Sequence, residues 1–154
     1  MTIEEYVSSR VRQAYGDAEI PCAPTSLQIL GELFDQDIHE QVLQASRGLN
    51  GAGQHGEQCG LVEGPLMLIG LLSHRRGLGQ DDLYRVCSDF AEAYAGWFGS
   101  LLCRRLRPGG FNEDDPPHLC EPLTLDSILF SARFIAERFG LRSQVPVTKN
   151  RRDR

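Results

Sequence analysis

Apolar residues recur every three or four positions along almost the whole chain, which is the spacing of one face of an α-helix. Six stretches carry this pattern, at residues 3–14, 27–34, 38–49, 59–73, 83–101 and 124–139. No stretch alternates strictly between apolar and polar residues as a half-buried β-strand does. The pattern therefore predicts an all-α fold, a compact bundle of five or six helices whose short connections make sequential helices run antiparallel.

Capping residues indicate where several of these helices begin. Thr2 and Glu5 have the spacing of a capping box at the start of the first helix. Thr25 or Ser26 is the predicted N-cap of the second helix, and Thr124 is the predicted first residue of the last one. These positions leave short loops between the helices, as a bundle requires.

A glycine-rich loop separates the third predicted helix from the fourth. Five of the thirteen residues between positions 48 and 60 are glycine. Such a segment takes up backbone angles that other residues avoid. It lacks the Gly-Lys-Ser/Thr ending of a phosphate-binding loop and does not follow a strand, so nucleotide binding is not predicted.

Charge is divided unevenly along the 154 residues. Residues 1–141 hold 11 arginines against 20 acidic residues, whereas residues 142–154 hold five basic residues against Asp153. The acidic body argues against nucleic acid as a partner, because it repels the phosphate backbone. We predict a helical domain over residues 1–141 and a basic, solvated C-terminal tail over residues 142–154.

The chain shows neither of the usual signals for export or membrane insertion. Its first ten residues lack the apolar segment of a signal peptide. Its longest apolar run, residues 65–72, is far shorter than a membrane span. We therefore expect a cytoplasmic protein, in which thiols stay reduced and cysteines that share a site indicate metal binding or catalysis rather than structural disulfides.

Four of the five cysteines are predicted to meet at one end of the bundle. Cys22 precedes the second helix, Cys59 begins the fourth, Cys103 lies near the end of the fifth, and Cys120 precedes the sixth. An up-and-down course of the helices brings these four positions to the same end. Cys87 lies 16 residues before Cys103 on the same predicted helix, about 24 Å away, and we interpret it as a core residue.

The position of Cys59 at a predicted helix start suggests a reactive thiol. Unpaired N–H groups and the helix dipole at such a position stabilise a thiolate and lower its pKa. Glu63 in the same helix is interpreted as a solvated side chain, and His55 and His118 are interpreted as loop residues. Trp97, with its neighbour Phe98, is predicted to lie in the core.

These residues resemble the C_GCAxxG_C_C family of redox-active proteins, which is named for four cysteines and a Cys-Gly-Ala-x-x-Gly box. The matching elements are Cys22, the box Cys-Gly-Leu-Val-Glu-Gly at residues 59–64, residues 98–104, which end in Cys103 and Arg104, and Cys120. The resemblance covers nearly the whole chain and implies a helical protein of about this length. Two departures are Leu61, where the family has alanine, and Gln58, which replaces a glycine.

The resemblance also implies a cofactor. A similar domain in split-Soret cytochromes uses its cysteines for a 2Fe–2S cluster, and the positions that match here as cofactor or metal ligands are Cys22, Cys59, Cys103 and Cys120. Four thiolates suit such a cluster. Zinc is less favoured, because structural zinc sites use local Cys-x-x-Cys pairs, which are absent from this sequence.

Three functions stay open on the sequence alone, and whether the chain is an enzyme is undecided. The first is electron transfer through an iron–sulfur cluster or metal held by the four cysteines. The second is metal-free thiol–disulfide redox chemistry or sensing, with Cys59 as the attacking thiolate and another cysteine resolving the mixed disulfide. The third is a helical interaction module with incidental cysteines. The partner expected for the redox functions is another redox protein, and a homodimer is the default oligomer.

Overall fold

A computed structural model describes residues 1–16, 18–110, 112 and 114–147. Two helices packed closely against each other form the centre of the fold. They are α2 and α4, which share the most extensive interface of the described residues. Small residues allow this approach: a Cβ added to Gly64 of α4 would lie 2.7 Å from the carbonyl oxygen of Ala23 and 3.0 Å from the backbone nitrogen of Leu27 on α2. Seven α-helices span the described chain: α1 (Ile3–Gly16), α2 (Cys22–Leu33), α3 (Glu40–Ser46), α4 (Gly60–Arg75), α5 (Gln80–Phe98), α6 (Cys103–Leu106) and α7 (Glu121–Phe139).

The remaining long helices surround this central pair. Helix α7 packs against α1, α2 and α4, whereas α5 packs against α4. Most of the side chains that these helices bury are apolar, and burial of this kind is the main force that stabilises a helical bundle. The predicted all-α bundle is therefore confirmed.

Two helices begin earlier than their capping residues predicted. Helix α2 starts at Cys22, so Thr25 and Ser26 lie inside it as buried residues. Helix α7 starts at Glu121 after a 3-10 turn, and Thr124 lies in its first turn with its hydroxyl donating to the Cys120 carbonyl at 2.8 Å. Hydroxyl side chains bond to a preceding carbonyl within a helix as readily as they cap one.

Helix α5 ends earlier than predicted. It stops at Phe98 because Gly99 adopts a left-handed φ of 89°, the usual way in which a glycine terminates a helix. Cys103 therefore does not lie on the same helix as Cys87, and the 24 Å spacing along one helix was wrong. Trp97, at the last turn, is 69% exposed, so its assignment to the core was also wrong. Its neighbour Phe98 packs against Tyr94, with 4.5 Å between the ring centroids.

The start of the predicted basic tail lies beside the end of α2. The backbone N–H of Gln144 donates to the carbonyl of Leu33 at 2.9 Å. The basic residues Lys149, Arg151, Arg152 and Arg154 lie outside the described residues, so the division at residue 141 stays a prediction. Among the residues that are described, no helix has the length and apolar character needed to cross a membrane.

Candidate redox site

Cys22 and Cys59 lie at the adjoining ends of the two central helices. Cys22 is the first residue of α2, and Cys59 is the residue that precedes α4. A Cβ added to Gly60 would come within 2.5 Å of the Cys22 sulfur. The absence of a side chain at Gly60 therefore leaves room for the Cys22 sulfur beside the residue that follows Cys59. A hydrogen-bonding interaction with the Cys22 side chain is the largest cause of a raised Cys59 pKa.

A short antiparallel pairing brings Cys103 to the same place. Gln58 and Leu102 face each other across it. The N–H of Cys59 donates to the carbonyl of Leu101 at 2.9 Å, and the N–H of Cys103 donates to the carbonyl of Glu57 at 2.7 Å. We call residues 56–59 and 101–104 together the ribbon. It ties the start of α6 to the start of α4 and so places two distant cysteines side by side.

Arg104 strengthens the ribbon from its outer side. Its Nε donates to the carbonyl of Gly56 at 3.0 Å, and its guanidinium forms an ion pair with Glu57. Both charged side chains are nearly half exposed, so the pair contributes less than a buried ion pair would. Its effect is mainly to fix which residues face each other.

The glycine-rich loop forms a left-handed helical turn over this site. Ala52 and Gln54 have φ values of 54° and 67°, and the glycines at positions 51 and 53 have similar values. A Cβ on Gly51 would lie 3.1 Å from the Cβ of Cys103. The prediction that this loop uses backbone angles typical of glycine is confirmed, although two of the four residues are not glycine and adopt the angles at a cost of about 1 kcal/mol each.

Asn50 precedes that turn and contacts Cys22 directly. Its Oδ1 accepts hydrogen bonds from the Cys22 thiol at 3.2 Å and from the Ala23 N–H at 2.9 Å, while its Nδ2 donates to the Arg47 carbonyl at 2.7 Å. These backbone partners fix the orientation of the amide, because one of them needs an acceptor and the other needs a donor. Asn50 thus caps α2 from another segment and holds the Cys22 sulfur in place.

Cys120 enters the site from the other side, beside Tyr15. The Thr124 hydroxyl donates to the carbonyl of Cys120, so it accepts the hydrogen bond that joins it to the Tyr15 hydroxyl at 2.8 Å. The pKa of Tyr15 is raised well above its usual value by burial and by its neighbours Cys22 and Cys120. This tyrosine therefore lies among the cysteines as a neutral phenol.

The cysteines surround a cavity of about 560 Å³ that opens to solvent. Cys22, Cys103 and Cys120 line it, each of them partly exposed. Cys59 does not line the cavity and is only 5% exposed, so it lies behind Cys22. In place of the predicted meeting of four cysteines, three cysteines line one cavity and a fourth is buried behind Cys22.

Burial determines the charge state of these thiols. The pKa of Cys59 is raised well above its usual value by the hydrogen-bonding interaction with Cys22, by burial and by the charge of Cys22 when ionised. The hydrogen bond from the Leu61 N–H at the helix start lowers the pKa, but by less than these effects raise it. Burial raises the pKa of Cys120 to about 11 and also raises that of Cys103, although Arg107 opposes both shifts. The lowered Cys59 pKa expected from its helix position is therefore not met, because the interaction with Cys22 and desolvation together exceed the effect of the helix start.

The four thiols as placed do not form a site for a single metal ion. In the part of the chain that the structure describes, no group of three or more His, Cys, Asp or Glu side chains could hold a metal ion. The chemistry of four thiols matches the ligand set of a 2Fe–2S cluster, but the side chains as placed do not fit a single metal ion. All five cysteines are free thiols.

Other residues singled out in the sequence lie apart from the cysteines or support them. Cys87 packs at the edge of the core on α5 and does not line the cavity. His118 is exposed beside Cys120, and His55 is exposed in the glycine-rich loop. Glu63 is half-buried rather than solvated and accepts a 2.9 Å hydrogen bond from Gln58, and burial raises its pKa.

Three residues that shape the site had no signal in the sequence. Tyr15, Asn50 and Arg107 all line the cavity, and the guanidinium of Arg107 also donates to the Asp115 carbonyl at 2.7 Å. Each is an ordinary polar residue in its own segment. Only the packing of α1, the glycine-rich loop and α6 around α2 brings them to the cysteines.

Comparison with known proteins gives one match. A family model described as "Putative redox-active protein (C_GCAxxG_C_C)" matches residues 20–134, a segment that includes all five cysteines. Comparison with curated proteins and with solved structures gave no match.

Proposed function

Because the chain belongs to the C_GCAxxG_C_C family of redox-active proteins, we propose that it is a thiol–disulfide redox protein in which Cys22 and Cys59 interconvert between two thiols and one disulfide. The observation that carries this proposal is that the Cys22 sulfur lies against Gly60, the residue next to Cys59, at the adjoining ends of α2 and α4. Because α2 and α4 pack closely against each other, a disulfide between these two cysteines would link neighbouring helix ends.

The two thiols have different roles in this proposal. Cys22 lines the solvent-open cavity, so it is the thiol that reacts with an external molecule. Cys59 is buried behind it and resolves the mixed disulfide. This assignment reverses the one made from sequence, in which Cys59 attacked. The reason is accessibility: a reactant in the cavity meets Cys22 first.

The test is a disulfide map of the metal-free protein. The protein is equilibrated anaerobically in buffers of defined thiol and disulfide ratio, its remaining thiols are alkylated, and its peptides are identified by mass spectrometry. We expect one reversible disulfide between Cys22 and Cys59, with three alkylated cysteines. Cys22→Ser and Cys59→Ser each abolish it, whereas Cys87→Ser, the control, retains it. A protein that keeps five free thiols at every ratio contradicts the proposal.

A second candidate is favoured by the number of thiols around the cavity. Three cysteines on its wall and Cys59 behind them provide the four thiolates of a 2Fe–2S cluster. Gly51 and Gly60, where a Cβ would touch the sulfurs of Cys103 and Cys22, leave room close to the ligands. Such a cluster would supply one-electron transfer to a redox partner protein. Zinc is a weaker candidate, since it needs four ligands around one ion.

The cluster has its own test. Anaerobic reconstitution with iron and sulfide, followed by visible absorption and iron analysis, gives a coloured protein with about two irons per chain if the cluster forms. Cys103→Ser and Cys120→Ser lose the colour in that case, although neither variant affects the Cys22–Cys59 disulfide. A colourless protein after reconstitution removes the second candidate and leaves the first intact. Either chemistry suits the reducing cytoplasm proposed for this chain.

A further inference from the structure

The cavity next to Cys22 carries charges of both signs on its wall. Arg47 and Arg107 provide two cationic groups, and Glu19 and Asp115 provide two anionic groups. Arg47 and Glu19 are exposed, and Asp115 is partly exposed. A wall of this kind is matched by a ligand that itself carries both carboxylate and ammonium groups, because each charge then finds its opposite.

The uncharged part of the wall suits the same ligand class. Ile20 and Pro21 give an apolar strip beside Cys22, and Asn50 and Gln54 supply amides. Backbone amides and short apolar stems of a peptide match such a surface. The volume of about 560 Å³ lies within the range of roughly 300–1,000 Å³ that is common for small-molecule sites.

We propose that this cavity binds a zwitterionic amino-acid or short-peptide disulfide and presents its sulfur–sulfur bond to Cys22. The inference rests on the proposed thiol–disulfide function and names the class of oxidant for it. The feature that carries it is the juxtaposition of Cys22 with two arginines and two carboxylates around one cavity.

The exchange balances without any other reactant. The sulfur of Cys22 loses its proton and attacks one sulfur of the bound disulfide, so that a mixed disulfide forms and the first small thiol leaves with a proton. The sulfur of Cys59 then attacks the Cys22 sulfur and releases the second small thiol with the remaining proton. The two protein thiols are oxidised to one disulfide, and the small disulfide is reduced to two thiols.

The test compares two small disulfides with the full-length, metal-free protein. Glutathione disulfide carries carboxylate and ammonium groups, whereas hydroxyethyl disulfide is uncharged. Loss of the Cys22 and Cys59 thiols is followed by quenched alkylation and mass spectrometry. We expect wild type to react about tenfold faster with glutathione disulfide than with hydroxyethyl disulfide, after correction for their rates with a free thiol, as charge complementarity at a binding site allows.

Two arginine variants locate the effect. Arg47→Gln removes a charge from the cavity wall and is expected to lose most of the preference for glutathione disulfide over hydroxyethyl disulfide. Arg85→Gln removes an exposed arginine that pairs with Asp82 on α5 and should keep the full preference. A general effect of net charge would act equally in the two variants, which would overturn the assignment of this site.

The outcomes separate the inference from the function on which it rests. If both disulfides oxidise Cys22 and Cys59 at the same corrected rate, the pair is redox-active but the cavity does not select zwitterions, and the inference fails. If neither disulfide forms the Cys22–Cys59 bond, the proposed function itself fails. Preference for glutathione disulfide in wild type and in Arg85→Gln, but not in Arg47→Gln, supports both the inference about the cavity and the proposed thiol–disulfide function.

Discussion

The backbone N–H of Cys103 donates a 2.7 Å hydrogen bond to the carbonyl oxygen of Glu57. This bond, together with the one from Cys59 to Leu101, links the start of α6 to the start of α4. Helix α6 would not bring its cysteine to the site by side-chain packing alone, since it has four residues and none of them is buried. The position of Cys103 therefore depends on main-chain hydrogen bonds.

The first prediction concerns the arginine that supports this pairing. Arg104→Ala removes the ion pair with Glu57 and the side-chain hydrogen bond to the Gly56 carbonyl. Because both charged groups are nearly half exposed, we expect a loss of unfolding free energy below about 1 kcal/mol. Amide hydrogen exchange at Cys59 and Cys103 should nevertheless become faster, since the ribbon opens more often. Arg85→Ala, which breaks the exposed pair with Asp82, should leave those two amides unchanged.

The second prediction uses two glycines of the same helix. In Gly60→Ala the new Cβ would lie 2.5 Å from the Cys22 sulfur and 2.7 Å from the Ala23 nitrogen. We expect a loss of about 1–3 kcal/mol in urea unfolding, as for other overpacked sites. Gly70→Ala is the control, because a Cβ there meets nothing within 4 Å, and it should stabilise the helix by about 0.5–1 kcal/mol. Equal effects of the two substitutions would contradict the close contact at Cys22.

The third prediction concerns Asn50. Asn50→Ala removes the acceptor of the Cys22 thiol and of the Ala23 N–H, so we expect a loss of about 1 kcal/mol, typical of a lost helix cap. The Cys22 thiol, no longer held, should also react faster with iodoacetamide under native conditions. Asn112→Ala, an exposed loop substitution, should alter neither quantity. Unchanged Cys22 alkylation in Asn50→Ala would argue against the role of this amide.

The fourth prediction is a dependence on alkaline pH. Burial and the hydrogen bond to Glu32 raise the pKa of Tyr6 from 10.0 to about 12. The folded chain therefore holds this proton more tightly than the unfolded chain, so the contribution of Tyr6 to stability is complete below pH 10 and is lost as the pH rises towards 12. Urea midpoints measured across this interval should fall less steeply in Tyr6→Phe than in wild type. Parallel curves for the two proteins would show that Tyr6 does not titrate differently on folding.

The helices of this fold could be predicted from sequence because burial determines them. The apolar spacing that defined the first helix, with Val7 and Val11, is the spacing of residues that the structure buries. The same reasoning failed at Trp97, because the last turn of α5 carries this apolar residue outside the core, where it is 69% exposed. Periodicity identifies an apolar residue but not whether a neighbouring helix covers it.

The site was predictable only in its broad position. The count of helices brought the four cysteines to one end of the bundle, but it placed Cys103 on the wrong element, because the left-handed conformation of Gly99 could not be distinguished from a helical one. The contact of Asn50 with Cys22 had no signal in the sequence, since it joins a loop to a helix start through a single side-chain oxygen. Contacts of this kind depend on the tertiary arrangement alone.

The placement of Cys22 and Cys59 on the two central helices gives the redox state a thermodynamic consequence for the whole molecule. A covalent link between them would tie together the first residue of α2 and the residue before α4, and closing a loop of that length stabilises a fold by roughly 4 kcal/mol in the chain-entropy description. Folding and oxidation would then reinforce each other to the same extent, because they are two sides of one thermodynamic cycle. The melting temperature of this protein would thus report the oxidising strength of its surroundings.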